Sequence, residues 1–180
     1  GRQLVARFDF GSALGAPLIA KVAISPVDEA GAIANLDADM PGWDFDGVRA
    51  SAKAQWAQAL GVADVDAPEP MRKAFFTALY HTLQAPSLFM DSDGRYRGPD
   101  NAVHQAKGWT NYSTFSLWDT YRALHPLLTI VAPEQRSADF VNSLIASQQH
   151  SPYGVLPVWQ FHGLETWTMI GYHAVPVIAD

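Results

Sequence analysis

Trp118 and Asp119 stand side by side in Phe115-Ser-Leu-Trp-Asp-Thr-Tyr-Arg122. An aromatic next to a carboxylate is what a sugar site needs. The ring face stacks on the C–H surface of a pyranose, and the carboxylate accepts hydrogen bonds from adjacent hydroxyls. The same pair also fits an ordinary helix, with Trp118 in the core and Asp119 paired with Arg122 or capping the helix. Glu165 lies in a second dense cluster, Trp159-Gln-Phe-His-Gly-Leu-Glu-Thr-Trp167. Its position reads as the point where a loop becomes a helix, whose positive end favours a carboxylate. That setting suits a hydroxyl- or metal-binding group better than a general acid, and equally suits a Glu with a merely electrostatic role.

Other candidate chemistries find less support. Asp91-Ser-Asp-Gly94 resembles the start of a calcium loop, but Arg95 stands where a third oxygen ligand belongs and no Glu closes the loop. Between apolar Leu88-Phe-Met90 and Tyr96 it reads better as a turn. The six histidines, 81, 104, 125, 150, 162 and 173, form no HExxH pair. His173, with Tyr172 alongside on an apolar stretch, reads as a hydrogen-bonded core residue. No Gly-x-Ser-x-Gly elbow and no Gly-rich phosphate loop is present.

The elements that must position these groups follow from periodicity and punctuation. Leu4 to Phe10 and Leu18 to Ile24 alternate like two strands, joined by a small, flexible Gly11 to Pro17. Ser25-Pro26 with Asp28-Glu29 marks a helix start, and that helix is expected to run through Leu36 and to end before Pro41-Gly42. Asp44 or Asp46 caps the next, with Val48, Ala52, Trp56 and Leu60 on one stripe and Gly61 as its stop. Pro68-Glu69-Pro70 opens a third, carrying Met71, Phe75, Leu79 and Leu83, and Pro86 ends it. Ser87 to Ser116 has no helical period, so a hairpin or functional loop is expected there. Leu117, Tyr121, Leu124 and Leu128 predict a helix interrupted by Pro126. Pro133-Glu134 starts another, Tyr153 to Gly163 reads as extended, and a last apolar helix is expected from near Glu165 through Met169 to Asp180. Both ends of the chain read as cuts, because an isolated hairpin buries too little apolar surface and the last helix has no terminal cap.

Composition narrows the partners. Across 180 residues, Lys+Arg 12 against Asp+Glu 18 give a net charge of −6, with no basic run. That argues against nucleic acid and anionic membrane surfaces. Hydrophobic residues at 48% and charged ones at 17% describe an ordinary globular chain. The absence of cysteine removes thiol nucleophiles, disulfides and Cys-ligated zinc. No apolar run approaches the roughly 18 residues of a membrane span, and the first residues are not a signal peptide. The aromatic share is 12%, with six Trp, which suits either packing or a site for sugar-like ligands.

Four strings carry a family resemblance: Ala78-Leu-Tyr-His-Thr-Leu83, Asp93-Gly-Arg-Tyr-Arg-Gly98, the run from Tyr112 to Leu127, and Glu165-Thr-Trp-Thr-Met-Ile-Gly-Tyr-His-Ala-Val-Pro-Val-Ile-Ala-Asp180. From about Ser25 onward the chain resembles glycoside hydrolase family 92, the calcium-dependent, exo-acting, inverting α-mannosidases. The resemblance implies a mainly α fold with a short β segment. Residues 1–24 would be the last strands of an N-terminal β-sandwich. Residues 25–66 would be a helical linker, and 67–180 the first helical hairpins of an (α/α)6 catalytic barrel.

By the same resemblance Trp118 and Asp119 match a Trp-Asp pair of the mannose subsite. Glu165 matches a family Glu that usually follows Gly-Asn, and Leu164 stands in place of that Asn. The general acid, general base and most calcium ligands would lie in later segments, so no catalytic residue and no metal ligand is nominated here. The implied function is part of an α-mannosidase removing terminal mannose from mannose-containing glycans, inactive as this chain alone, and working with the remaining segments of its parent. The implied location is the periplasm, cell surface or outside. A non-catalytic carbohydrate-binding or interaction module is the alternative from another class. Another (α/α)6 glycosidase, of the trehalase-like kind, lacks a second carboxylate near Asp119.

Overall fold

Short polar caps decide where the first helices begin. In the computed structural model, which describes residues 5–11, 15 and 17–180, helix α1 spans Glu29–Asp39 and the Asp28 carboxylate accepts the Gly31 N–H. It runs three residues past the expected Leu36 and stops ahead of Pro41. Helix α2, Phe45–Leu60, is capped by Asp44, which accepts the Gly47 N–H, and ends at Gly61. Helix α3, Glu69–Thr82, starts with Pro70 in its first turn, where a missing N–H costs nothing. Trp56 and Tyr80, with ring centroids 4.5 Å apart, join α2 to α3.

The two N-terminal strands expected from alternation are not formed among the described residues. Residues 5–11 and 17–24 join no ladder, and Leu4, Ser12 to Leu14 and Ala16 lie outside the described residues. Val5, Phe8, Val22 and Ile24 are at least three-quarters exposed, so nothing here buries the apolar face that would stabilise a two-stranded ribbon.

The long segment after α3 resolves into short ladders. Strand β1 (Ser87–Leu88) pairs antiparallel with β4 (Tyr112–Ser113). Strands β2 (Arg95–Arg97) and β3 (Val103–Gln105) form a hairpin. Asp91 to Gly94 is a turn, closed by the Gly94 N–H to the Asp91 carbonyl at 2.9 Å. The Asp91 side chain, 1% exposed, is held by donation from Ser25 Oγ and Asn35 Nδ2, each at 2.8 Å.

The predicted helix from Leu117 splits in two. Helix α4 covers Leu117–Thr120 and α5 Leu124–Val131. The break falls upstream of Pro126, because in a continuous helix its ring would press on the carbonyl of Arg122. Restarting at Leu124 places Pro126 in a first turn, where it is tolerated. Helix α6 spans Glu134–His150 as expected. Strand β6 (Trp159–Phe161) then joins β5 (Phe115–Ser116) and β7 (Leu164–Glu165) in an antiparallel sheet ordered β5-β6-β7. The last helix, α7, is only Ala174–Ala179. Left-handed backbone at Trp167 (φ 55°) and Gly171 (φ 97°) prevents the longer helix that the apolar run suggested. Phe115, Leu117, Leu128, Phe140, Leu144 and Ala174 form the core.

Candidate sugar-binding site

The core sets the site's orientation. Phe115 and Leu117 are 0% exposed, so the intervening Ser116, with its side chain on the opposite face of β5, is turned outward. Trp118 and Asp119 follow at the start of α4, half-buried and exposed respectively. Ser116 Oγ donates to the Asp119 carboxylate instead of capping the helix. No ion pair joins Asp119 to Arg122 among the described residues; Arg122 lies over the Tyr121 ring, 5.0 Å from its centroid. Asp119 therefore keeps acceptor capacity toward solvent.

Behind Trp118 stands His173. Its imidazole meets the indole edge-on at 5.4 Å and stacks on Tyr121 at 4.1 Å, 7° from parallel. The expected hydrogen-bonded core histidine on an apolar helix is not what forms. His173 precedes α7, and its Nε2 is buried with no partner among the described residues. Gly171 makes room for it: a Cβ there would come within 2.3 Å of that nitrogen.

Glu165 is not at a helix start either; it ends strand β7. Its Oε2 accepts the Val158 N–H at 2.6 Å, and its Oε1 accepts the Trp167 N–H at 2.7 Å. The Trp159 N–H is shared, 3.0 Å from Oε1 and 3.3 Å from Oε2. The carboxylate ties three loop amides together.

The sheet brings these pieces together. Ser116 is the Cα partner of Trp159, and Gln160 the partner of Glu165. Asp119, held by Ser116, and Glu165, held by the Trp159 amide, are thus joined through one strand pair. Trp159, at the head of the aromatic cluster noted in the sequence, is thereby placed opposite the residue that holds Asp119. Its signal was the alternation Trp159-Gln160-Phe161, in which only Gln160 is buried, donating to Ser147 Oγ at 3.2 Å.

Two other clusters lie elsewhere. His104 Nε2 is 3.0 Å from both Asp100 oxygens, and its ring stacks on His150 at 3.5 Å. Burial, then the neighbouring His104 charge, holds His150 below the usual imidazole range, against the pull of Asp100. A cavity of about 580 Å³ lies between residues 22–26, α1 and residues 87–92, but its buried carboxylate, Asp91, is already held by the half-buried Ser25 and Asn35. Among the described residues no three His, Asp or Glu side chains converge as a metal site would require, so this chain's residues do not by themselves fit a calcium ion.

The family model described as the glycosyl hydrolase family 92 catalytic domain matches residues 31–180. The chain belongs to that family. It is similar to the solved family GH92 alpha-mannosidase BT3965 from Bacteroides thetaiotaomicron, with 44% identity and a TM-score of 0.83 over 86% of this chain and 21% of that one. The same relative in complex with mannoimidazole matches equally well, with a TM-score of 0.83. The family GH92 inverting mannosidase BT2199 from the same organism matches at 28% identity and a TM-score of 0.77, over 86% of this chain and 21% of that one. The chain thus spans about a fifth of the length of these relatives. No curated protein matches it.

Proposed function

We propose that this chain is part of an inverting α-mannosidase that removes terminal α-linked mannose from glycans, and that it supplies part of the mannose subsite. The observation that carries the reading is Asp119, exposed beside Trp118 and engaged, among the described residues, only by the Ser116 hydroxyl. The indole offers a face to the sugar C–H surface, while the remaining carboxylate lone pairs accept hydroxyl protons. Binding of mannoimidazole by a relative at 44% identity supports mannose as the ligand.

Inversion needs two carboxyl groups about 6.5–9.5 Å apart, one protonating the leaving oxygen and one activating a water. We assign neither to this chain; both belong to later segments of the catalytic domain. In the same reading, residues 1–24 close a β-sandwich, 25–66 link it, and 67–180 open an (α/α)6 barrel, in a protein acting in the periplasm, at the cell surface or outside. Calcium dependence of the whole enzyme belongs to it too, with most of its ligands outside this chain. Chelation of the full-length protein should then abolish turnover, and restored calcium should return it.

The deciding experiment is Asp119→Ala in the full-length protein, assayed on an aryl α-mannoside. Loss of charged hydrogen bonds to the substrate predicts a fall in kcat/KM of about 2–3 kcal/mol, roughly 30- to 150-fold. An unchanged kcat/KM in a folded variant would reduce Asp119 to a helix residue.

A further inference from the structure

We propose that His173 is a positioning residue that holds the Trp118 indole at the angle it presents to mannose; this rests on the mannosidase reading above. Trp118 is carried by α4, a helix of four residues. A single turn is too short to be stable by itself, so its side chains must be fixed from outside. The local cap does not do this, because no side chain caps the α4 N-terminus and the Ser116 hydroxyl is engaged with Asp119.

The outside support comes from a segment more than fifty residues further along the chain. Trp118 and Tyr121 are three residues apart, which places them on one side of the turn. His173 meets both, edge to face with the indole at 5.4 Å and 61°, and parallel to Tyr121 at 4.1 Å and 7°. The next residue, Ala174, is 0% exposed and belongs to the core cluster. The backbone that carries the imidazole is therefore anchored. Gly171 encloses a further side: a Cβ there would come within 2.3 Å of Nε2, 2.8 Å of Cδ2 and 2.9 Å of Cε1.

Ring contacts, not hydrogen bonds, hold this imidazole, since Nε2 is buried without a partner among the described residues. The rim of an aromatic ring is its positive part and is drawn to the face of its neighbour, which favours the edge-to-face angle seen here. Asp119, by contrast, is held through Ser116 on β5. The two halves of the sugar platform are thus supported separately, the carboxylate from the sheet and the indole from His173.

The test uses the full-length enzyme and an aryl α-mannoside. An indole that meets the sugar alike in the ground and transition states contributes to KM and not to kcat. His173→Ala should therefore raise KM about three- to tenfold, the worth of an aromatic pair, with kcat within about twofold. In a Trp118→Ala background the same change should cost nothing further in kcat/KM, because it acts through the indole. Should His173→Ala not fold, Tyr121→Leu removes the other member of the stack; it should give the same rise in KM and the same silence without Trp118. An unchanged KM in a folded variant would overturn the inference. So would a fall confined to kcat, or full additivity with Trp118→Ala, either of which makes His173 a general support of the fold. If the wild-type enzyme turns over no α-mannoside, the mannosidase reading itself fails, a result distinct from an active enzyme indifferent to His173.

Discussion

His125 sits between two phenylalanines. It is 5% exposed, 6.2 Å from Phe115 and 6.0 Å from Phe140 by ring centroids, with its Nε2 unpartnered among the described residues. Burial pushes its pKa from the ordinary 6.5 down to about 4. Below pH 6.5 the unfolded chain binds a proton that the native imidazole refuses until about pH 4. The stability it carries is therefore complete above 6.5 and is lost as pH falls toward 4, to a limit of about 3 kcal/mol. Urea midpoints measured between pH 7 and pH 4.5 should fall, and His125→Phe should flatten that slope. At this scale adjacency put Trp118 and Asp119 side by side, but that Asp119 takes the Ser116 hydroxyl while Arg122 lies over Tyr121 was decided by the fold. Glu165 was misplaced because its three amide partners lie in a hairpin that no local pattern specifies.

Gly31 shows how an element can depend on one missing methyl. It lies inside α1, where glycine costs about 1 kcal/mol relative to alanine. Yet a Cβ there would come within 2.3 Å of the Asp91 Oδ2 and 2.7 Å of Ser25 Oγ. Gly31→Ala is expected to destabilise by about 1–3 kcal/mol despite the better helix propensity, as overpacking at a buried carboxylate does. A lowered thermal midpoint would record it; a raised one would show that the Asp91 joint yields freely. Helices α1, α2, α3 and α6 were legible from their starts, because Asp28, Asp44, Pro70 and Pro133 act locally. The break before α5 was attributed to Pro126 but could not be placed, since the proline's constraint acts one turn upstream. Strands of two or three residues leave too few alternations to read, and their pairings join distant segments.

Taken whole, the chain presents large apolar groups to solvent. Trp43, Phe45, Met71, Ile130 and Ile170 are each more than half exposed, and α2 buries no residue at all. Such faces are a cost that covering segments of a longer polypeptide would remove. The 180 residues produced alone are accordingly expected to show no turnover of an aryl α-mannoside, in contrast to the full-length protein; comparable rates would overturn the division of labour proposed above. Mannose binding without turnover, insensitive to chelator, would instead favour a carbohydrate-binding module. The joint that docks α1 also bears on how the molecule is assembled in time. Ser25 and Asn35 meet Asp91 across 66 and 56 residues, and Arg97 donates to the carbonyls of Pro26 and Val27 across 71 and 70. Contacts this remote repay the chain entropy of closing their loops only after the β2–β3 hairpin exists. Stopped-flow measurements should find that Arg97→Ala accelerates unfolding and leaves the folding rate nearly unchanged. A slowed folding limb would place the joint in the nucleus instead.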